Sequence, residues 1–205
     1  MKISEIFISI QGEGSLVGIP MIFVRLSGCN LRCTYCDTTY SYDNGKEFSV
    51  DELLRIIKSS QLKYVAITGG EPLLQNEIYD LMDKLIDMKH NVVLETNGSI
   101  SIERVPRQVK IILDIKTPGS SMESKNCLEN LRFLKKADEI KFVITDRRDY
   151  EWAKDFLKKY SAKTREILFS PAIGFLQPSK LAEWIIEDRL QVRFNLQIHK
   201  FLQIK

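Results

Sequence analysis

The sequence lacks the features of a membrane or secreted protein. No window approaches the length and apolarity of a bilayer span, and the first five residues lack the apolar core of a signal peptide. A large excess of charge of one sign is also missing, since 30 basic and 27 acidic residues leave a net charge of +3. Such a balance gives no case for a nucleic-acid groove or a membrane surface. With 205 residues, 44% of them hydrophobic, and no low-complexity linker, the chain predicts one globular domain over residues 1–205.

Cysteine is scarce, but three of the four cysteines are clustered. Cys29, Cys33 and Cys36 follow the spacing C-x3-C-x2-C on one short loop. Three thiolates suit an iron–sulfur cubane that keeps one iron open to a small molecule. A structural zinc site normally has four ligands, and Cys127 and the two histidines are distant in sequence. Zinc or incidental cysteines remain the alternatives, whereas this clustering is not a disulfide framework and indicates a reducing cytoplasm.

Apolar runs of strand length alternate with segments of helical periodicity. An opening β segment covers residues 3–9, and further strand candidates are 21–26, 64–67, 92–95, 111–115, 140–144, 167–169 and 192–197. Helical spacing of apolar residues begins at Val50, after a Ser49–Glu52 capping box, and again at Ile78. Segments 128–137 and 150–160, and a helix opening at Pro178, fill the later crossovers. Repeated βα units predict an α/β fold with a parallel sheet, open or closed.

Polar and glycine-rich residues follow the predicted strands, at the end where βα folds bind ligands. The long loop 28–47 carries the cysteines, and the next strand ends in Gly69-Gly70-Glu71-Pro72. Paired glycines let backbone groups approach a ligand closely, and the neighbouring carboxylate can receive an ammonium group. An ordinary strand-to-helix turn is the alternative.

The cysteine loop and the Gly-Gly-Glu-Pro strand end together resemble the radical S-adenosylmethionine superfamily. The resemblance covers nearly the whole chain and implies a partial (βα)6 barrel with an N-terminal β segment and a short C-terminal tail. It implies a 4Fe–4S cluster on the three cysteines, S-adenosylmethionine on the fourth iron, and contact of the Gly-Gly-Glu segment with the methionine amino group.

A narrower similarity, to the 7-carboxy-7-deazaguanine synthase family, rests on residues 9–14, 23–31, 36–38, 95–98 and 197–202. It implies a lyase that rearranges 6-carboxy-5,6,7,8-tetrahydropterin into a 7-deazapurine, with loss of ammonia, on the route to queuosine. The expected reaction begins with an electron from the cluster, proceeds through a 5′-deoxyadenosyl radical and regenerates the cofactor.

This similarity implies a role for each matching residue. The pterin would be bound by Ile10, Gln11, Gly12, Arg25, Thr96 and His199. S-adenosylmethionine would be bound by Tyr35, Asp37, Gly69, Gly70, Glu71, Gly98, Ser170, Pro171, Ala172 and Ile173. Thr38 would hold a magnesium ion against the substrate carboxylate. Lys116 and Lys141, at or within strand ends, are further candidates for the cofactor, with solvated lysines as the alternative.

Several of these roles have a physical rationale and a competing interpretation. Gln11 offers a donor and an acceptor for the mixed edge of a pterin, or it belongs to a surface turn. Arg25, inside an apolar strand, suits a bidentate grip on a carboxylate or a structural ion pair. The Thr38 hydroxyl is a weak magnesium ligand, so substrate oxygens and waters must complete the octahedron, and a turn is the alternative. His199 is a substrate ligand or a core or cap histidine.

The resemblance also implies a flavodoxin- or ferredoxin-type reductant and a homodimer. A glycyl-radical activase, which acts on a protein chain, is the rival enzyme, and residues 11–14 and 36–38 argue against it. An iron–sulfur electron carrier or sensor is the rival of another class, although it needs no Gly-Gly-Glu-Pro strand end. The tail ending at Lys205 is shorter than in many members, so its last residues are not counted with the site. Cys127 is interpreted as structural.

Overall fold

A computed structural model describes residues 1–160, 162–164 and 166–204. Nine strands occur in chain order: β1 (Lys2–Ile10), β2 (Pro20–Leu26), β3 (Lys46–Glu47), β4 (Tyr64–Gly69), β5 (Asn91–Thr96), β6 (Lys110–Ile115), β7 (Glu139–Ile144), β8 (Glu166–Pro171) and β9 (Arg193–Phe194). The α-helices are α1 (Val50–Ser59), α2 (Glu77–Asp87), α3 (Arg147–Lys159), α4 (Pro178–Glu187) and α5 (Ile198–Phe201). Among the described residues, no helix is long and apolar enough to cross a membrane.

The strands form one sheet in the order β3-β1-β2-β4-β5-β6-β7-β8-β9. β1 is antiparallel to β2 and β3, and every pair from β2 onward is parallel. Because side chains of β1 and of β8 line the same cavity, the sheet curves into a partial barrel with edges at β3 and β9. The predicted α/β fold with six parallel strands is confirmed, and β9 adds a short seventh.

The boundaries of helices and strands follow the local signals with three exceptions, which are two helical segments and one strand. The Ser49–Glu52 capping box is present at α1, and Pro178 opens α4. α3 begins earlier than predicted, because the Asp146 side chain accepts a hydrogen bond from the Asp149 amide and caps it. Segment 128–137 contains only a 3-10 helix, Leu128–Arg132, and the predicted strand 192–197 is reduced to β9. Residues after β9 turn into the barrel instead of extending the sheet.

Side chains alternate between the two faces of each strand, and this alternation separates two apolar cores. Outward side chains pack under the helices, whereas Met21, Phe23, Ala66, Val93 and Ile112 form a small apolar cluster of their own. Two residues further along four of these strands, the same face carries Arg25, Thr68, Glu95 and Asp114, all of which line the cavity. The inner face is therefore apolar towards the amino ends of the strands and polar towards the carboxyl ends.

The connection between β1 and β2 closes the amino end of the barrel. Leu16 and Ile19 pack against the small apolar cluster. The Ser15 amide donates to the buried carboxylate of Glu139 at 3.1 Å, and the Gly14 amide donates to Asn195 at 2.7 Å. The loop is thereby anchored on β7 and on the segment that follows β9, which places residues 11–13 inside the barrel.

Candidate active site

A cavity of about 540 Å³ is lined by residues at the carboxyl ends of the strands. This volume is in the usual range for small-molecule sites, about 300–1,000 Å³. All of the site residues predicted from the sequence line it except Glu71 and Gly98. Residues far apart in the chain, from Ile10 to His199, therefore share one wall.

The three clustered cysteines lie on this wall as free, partly exposed thiols. Burial raises the pKa of Cys33, and the nearby Lys116 opposes that rise. The described residues contain no group of three His, Cys, Asp or Glu side chains arranged around a single metal ion. In a cubane each thiolate binds a different iron, so no such convergence is needed. Three free thiols on one loop fit the cluster.

Gly69 and Gly70 let the cysteine loop pack against β4. A Cβ on Gly70 would lie 2.0 Å from the carbonyl oxygen of Gly28, and Gly69 has φ +135°. The Gly70 amide donates to Leu26 at 3.2 Å, and the Glu71 amide donates to Gly28 at 2.8 Å. The close approach that glycine permits is thus to the chain's own backbone, although both glycines also border the cavity.

The carboxylate of Glu71 lies behind the wall and is fully buried. It accepts hydrogen bonds from the Thr96 hydroxyl at 2.9 Å and from the amides of Asn97 at 2.7 Å and Leu73 at 3.0 Å. Burial raises the pKa of Glu71, and these bonds oppose the rise. The expectation that this carboxylate receives an ammonium group is wrong, because its oxygens are engaged in holding the end of β5.

Gly98 and Cys127 lie outside the wall of the cavity. Gly98 has φ +75°, and a Cβ there would lie 2.8 Å from the carbonyl oxygen of Asp114, so it serves the packing of β5 on β6. Its carbonyl accepts from the Cys127 amide at 2.9 Å. The Cys127 thiol is half-buried beside Glu129 and does not line the cavity. Gly98 therefore lies behind the wall, and its contact with S-adenosylmethionine stays a prediction.

Alternating charges cross the inner wall. Lys141 lies 3.1 Å from Glu13 and 3.9 Å from Asp114, and Lys116 lies 2.9 Å from Asp114. Burial would lower the pKa of both lysines, but the carboxylates raise the pKa of each above its usual value. Burial would likewise raise the pKa of Glu13, yet Lys141 and a hydrogen bond from Gln197 lower it to about 2. Lys116 is buried and Lys141 is half-buried, and both are ion-pair partners, so the solvated alternative is wrong.

Gln11 is buried, and both ends of its amide are occupied. Its nitrogen donates to Glu95 at 3.1 Å, and its oxygen accepts from the Glu13 amide at 3.2 Å. The second oxygen of Glu95 accepts from the Thr68 hydroxyl at 2.9 Å. Gln11 therefore orients a carboxylate in the cavity. Because its amide keeps a second N–H and a second lone pair, its contact with the substrate edge stays a prediction.

Arg25 forms the structural ion pair considered for it, and its grip on a substrate carboxylate stays a prediction. Its Nε donates to Glu5 at 2.8 Å, and its guanidinium lies 5.7 Å from the ring centroid of Phe7. The residue nevertheless lines the cavity together with Thr38, whose hydroxyl is 3.8 Å from the Cys36 sulfur. An ion pair thus fixes the arginine on the cavity wall, on the side of the cysteine loop.

The C-terminal segment packs against the loop between β1 and β2. The Ile198 amide donates to the carbonyl of Gly12 at 3.0 Å, and a Cβ on Gly12 would lie 1.8 Å from Nδ1 of His199. Lys200 forms an ion pair with Asp37 next to the cysteines. Burial lowers the pKa of His199. Of the last residues, which were not counted with the site from the sequence, Ile204 lines the cavity and Leu202 and Gln203 do not, while Lys205 lies outside the described residues.

Sequence reasoning missed several polar residues of the wall: Glu5, Glu13, Thr68, Glu95, Asp114, Gln197 and Lys200. A signal was available for two of them. Glu95 and Asp114 interrupt apolar strands in the same way as Arg25, and an unpaired charge at such a position is costly. Glu13, Gln197 and Lys200 lie within the motifs that carry the family similarity, but their partners come from distant segments, so the sequence did not assign them a role.

Comparisons with known proteins agree with this geometry. Residues 23–169 match the family model of the Radical SAM superfamily. The chain is 42% identical to the 7-carboxy-7-deazaguanine synthase of Koribacter versatilis, over 98% of this chain and 96% of the relative. It is 41% identical to the enzyme of the same name from Chlorobaculum tepidum, over 98% and 94%. The crystal structure of QueE from Escherichia coli superposes with a TM-score of 0.78 at 26% identity, covering 96% of this chain and 93% of that one.

Proposed function

Because the chain belongs to the 7-carboxy-7-deazaguanine synthase family of the radical S-adenosylmethionine superfamily, we propose that it converts 6-carboxy-5,6,7,8-tetrahydropterin into 7-carboxy-7-deazaguanine with loss of ammonia. The observation that carries the proposal is that the three-cysteine loop and the charged inner wall line one cavity. A cofactor at the loop and a polar substrate at the wall would therefore be neighbours. An electron carrier binds no polar substrate and therefore needs no such wall.

The cofactors of this superfamily are assigned to one side of the cavity. Cys29, Cys33 and Cys36 would hold the 4Fe–4S cluster. S-adenosylmethionine would lie along the backbone of Gly69 and Gly70, whose carbonyls are the acceptors proposed for its amino group, since the Glu71 carboxylate is engaged elsewhere. Its remaining contacts are assigned to Tyr35, Asp37, Lys116, Lys141 and residues 170–173, all on the wall. Together the cluster and S-adenosylmethionine supply radical abstraction of a hydrogen atom.

The substrate is assigned to the part of the inner wall next to the cysteine loop. Arg25 would bind the carboxylate through its planar guanidinium, held in place by Glu5. Thr38 would supply one oxygen ligand to a magnesium ion near the same carboxylate. Ile10, Gly12, Thr96 and His199 would surround the pterin.

The chain itself orients the substrate and limits access of water. The loop before β2 plugs the amino end of the barrel, and residues 195–204 pack beside the opening. Holding two reactants in a fixed geometry removes much of the entropic cost of their encounter. Lys141 keeps its proton between Glu13 and Asp114, so the wall presents fixed charges to the substrate.

An anaerobic assay tests the proposal directly. The reconstituted enzyme, S-adenosylmethionine, a chemical reductant and the carboxypterin are incubated across a magnesium titration, and the deazapurine is quantified. Product from the carboxylated pterin supports the proposal. Arg25→Lys should lower turnover of this substrate although it keeps the charge, because lysine lacks the fork. No product from the pterin, with modification of a peptide instead, would favour the activase alternative.

We also propose partners and a location. A flavodoxin- or ferredoxin-type protein is the proposed reductant, and a homodimer is the proposed assembly. All four cysteines are free thiols, which suits a reducing cytoplasm. Electron transfer from each carrier to the reconstituted cluster, and the mass of the protein in solution by light scattering, test these points.

A further inference from the structure

The sulfur of Cys29 accepts two hydrogen bonds from the chain. The Leu31 amide donates to it at 3.4 Å, and the side-chain nitrogen of Asn97 donates to it at 3.8 Å. Asn97 is buried and follows the end of β5, whereas the cysteine loop follows β2. The second bond therefore joins two separate segments of the chain at the proposed cluster site.

Ser99 fixes the orientation of the Asn97 side-chain amide. The Asn97 oxygen accepts from the Ser99 backbone amide at 3.0 Å and from the Ser99 hydroxyl at 2.6 Å. A flipped amide would place its NH2 group against the Ser99 N–H, so that two donors would face each other. The nitrogen must therefore point towards the cysteine loop. One of its hydrogens meets the Asn30 oxygen at 3.1 Å, which leaves the other for Cys29.

The surrounding contacts keep this amide and the sulfur in place. Asn30 donates to the Ser99 hydroxyl at 2.8 Å, so donors and acceptors alternate around a ring of three side chains. On the other side of the sulfur, a Cβ on Gly70 would lie 2.9 Å from the Cβ of Cys29. The donor on Asn97 is thus oriented before any cluster binds.

We propose that Asn97 is a positioning residue for the cluster, and that its N–H···S hydrogen bond to Cys29 raises the reduction potential of the cluster. Reduction adds negative charge to the cluster and its thiolates, and a donor that points at a thiolate sulfur stabilises this charge. A higher potential eases delivery of the electron by the proposed protein reductant. The inference rests on the proposed function, because it requires the cluster on the three cysteines.

Replacing Asn97 by serine removes the donor to Cys29 but keeps an acceptor for Ser99. A serine hydroxyl can accept from the backbone amide two positions on, as the asparagine oxygen does. Its side chain is one bond shorter and ends short of the sulfur. In the variant, the equilibrium constant for one-electron reduction of the cluster should fall about three- to tenfold, as expected for the loss of one hydrogen bond. At about 59 mV per tenfold, the potential should become more negative by about 30–60 mV.

The experiment is a redox titration of the reconstituted cluster without S-adenosylmethionine or pterin. Dithionite supplies the electron in the presence of redox mediators, and electron paramagnetic resonance measures the reduced cluster. Damage that admits water to the cluster would change its potential through solvent exposure, and the added polarity would stabilise the reduced charge. Such damage would therefore raise the potential, whereas loss of the hydrogen bond should lower it.

Asn130→Ser is the matched control. It makes the same substitution at another buried asparagine, which bonds the carbonyls of Gly98 and Ile100 instead of a cysteine. This variant should keep the wild-type potential.

An Asn97→Ser cluster with an unchanged or higher potential overturns the inference. If that variant does not fold, Asn97→Thr offers the same acceptor, and an unchanged or higher potential in it overturns the inference equally. In either case, deazapurine formation by the wild type would leave the proposed function standing. The expected shift without any deazapurine from the wild type would support the inference and contradict only the proposed reaction.

Discussion

The side-chain oxygen of Asn195 accepts a 2.7 Å hydrogen bond from the backbone amide of Gly14, 181 positions earlier in the chain. The nitrogen of the same side chain donates to Ser170 at 2.8 Å and to Glu13 at 3.2 Å. Asn195, Gly14 and Ser170 are buried, so these bonds replace solvent for their polar atoms. One amide joins the loop before β2, the end of β8 and the C-terminal segment.

Replacing Asn195 by leucine should weaken both the fold and the binding of pterin. The variant leaves the buried Gly14 amide without its acceptor, at a cost of about 1–3 kcal/mol in the free energy of unfolding. Denaturant unfolding and calorimetry with the pterin measure the two effects, and iron content should not change. Asn91→Leu, at an exposed position, is the matched control. Wild-type stability in Asn195→Leu would contradict the bridging role.

Iron binding should depend on three of the four cysteines. Anaerobic reconstitution should give about four irons and four sulfides per chain. Alanine at Cys29, Cys33 or Cys36 should abolish the visible absorption of the cluster. Cys127→Ala is the internal control and should preserve it, because that thiol does not line the cavity. A colourless, zinc-loaded protein from a strictly anaerobic preparation would refute the cluster.

Replacing Glu71 by alanine should destabilise the chain even without cofactors. The variant deprives two backbone amides, of Leu73 and Asn97, of their acceptor, and each buried unsatisfied group costs about 1–3 kcal/mol. Denaturant unfolding of the cluster-free chain measures the loss, and Glu71→Gln should recover part of it. A variant with wild-type stability but no affinity for S-adenosylmethionine would instead support direct contact with the cofactor.

The ion pair of Glu13 and Lys141 should make stability fall in acid. Burial alone would raise the pKa of Glu13, but Lys141 lowers it to about 2 from an ordinary value near 4.5. A carboxyl whose pKa is depressed by folding stabilises the protein above its unfolded pKa. This contribution is lost as the pH falls from 4.5 towards 2.

Denaturant unfolding of the cluster-free chain at about pH 5 and about pH 3 measures this dependence. Glu13→Gln should reduce the difference between the two pH values, because the group that takes up the proton is gone. Asp43→Asn, at an exposed position, should leave the difference as in wild type. Equal acid sensitivity of Glu13→Gln and wild type would show that the pair does not contribute.

The parallel sheet was predictable because its signals are local. The apolar runs at β2 and β4 to β8 and the periodicity of α1 and α2 occur within single segments of about ten residues. The errors fall where tertiary contacts override such patterns. Asn130, for example, bonds the carbonyls of Gly98 and Ile100 and keeps residues 128–132 as a 3-10 turn.

The candidate site was predictable where its residues form motifs along the chain. Cys29, Cys33 and Cys36 are recognisable from spacing alone, and Arg25 from its charge inside an apolar strand. The functions of Gln11 and Glu71 were not predictable in this way. Both residues have the chemistry expected for a ligand contact, and in both cases a distant segment of the chain occupies their polar atoms.

The sequence by itself determined the α/β fold, the cysteine loop and the set of strand ends at which the site lies. These features depend on residue types within a few positions of each other, so they can be read without coordinates. Only the tertiary structure decided which polar atoms face the cavity. Glu95 is aimed by Gln11 and Thr68, and Glu13 is ionised by Lys141, across separations of up to 128 residues. Such pairings exist only once the barrel has curved and brought the inner faces of its strands within hydrogen-bond distance.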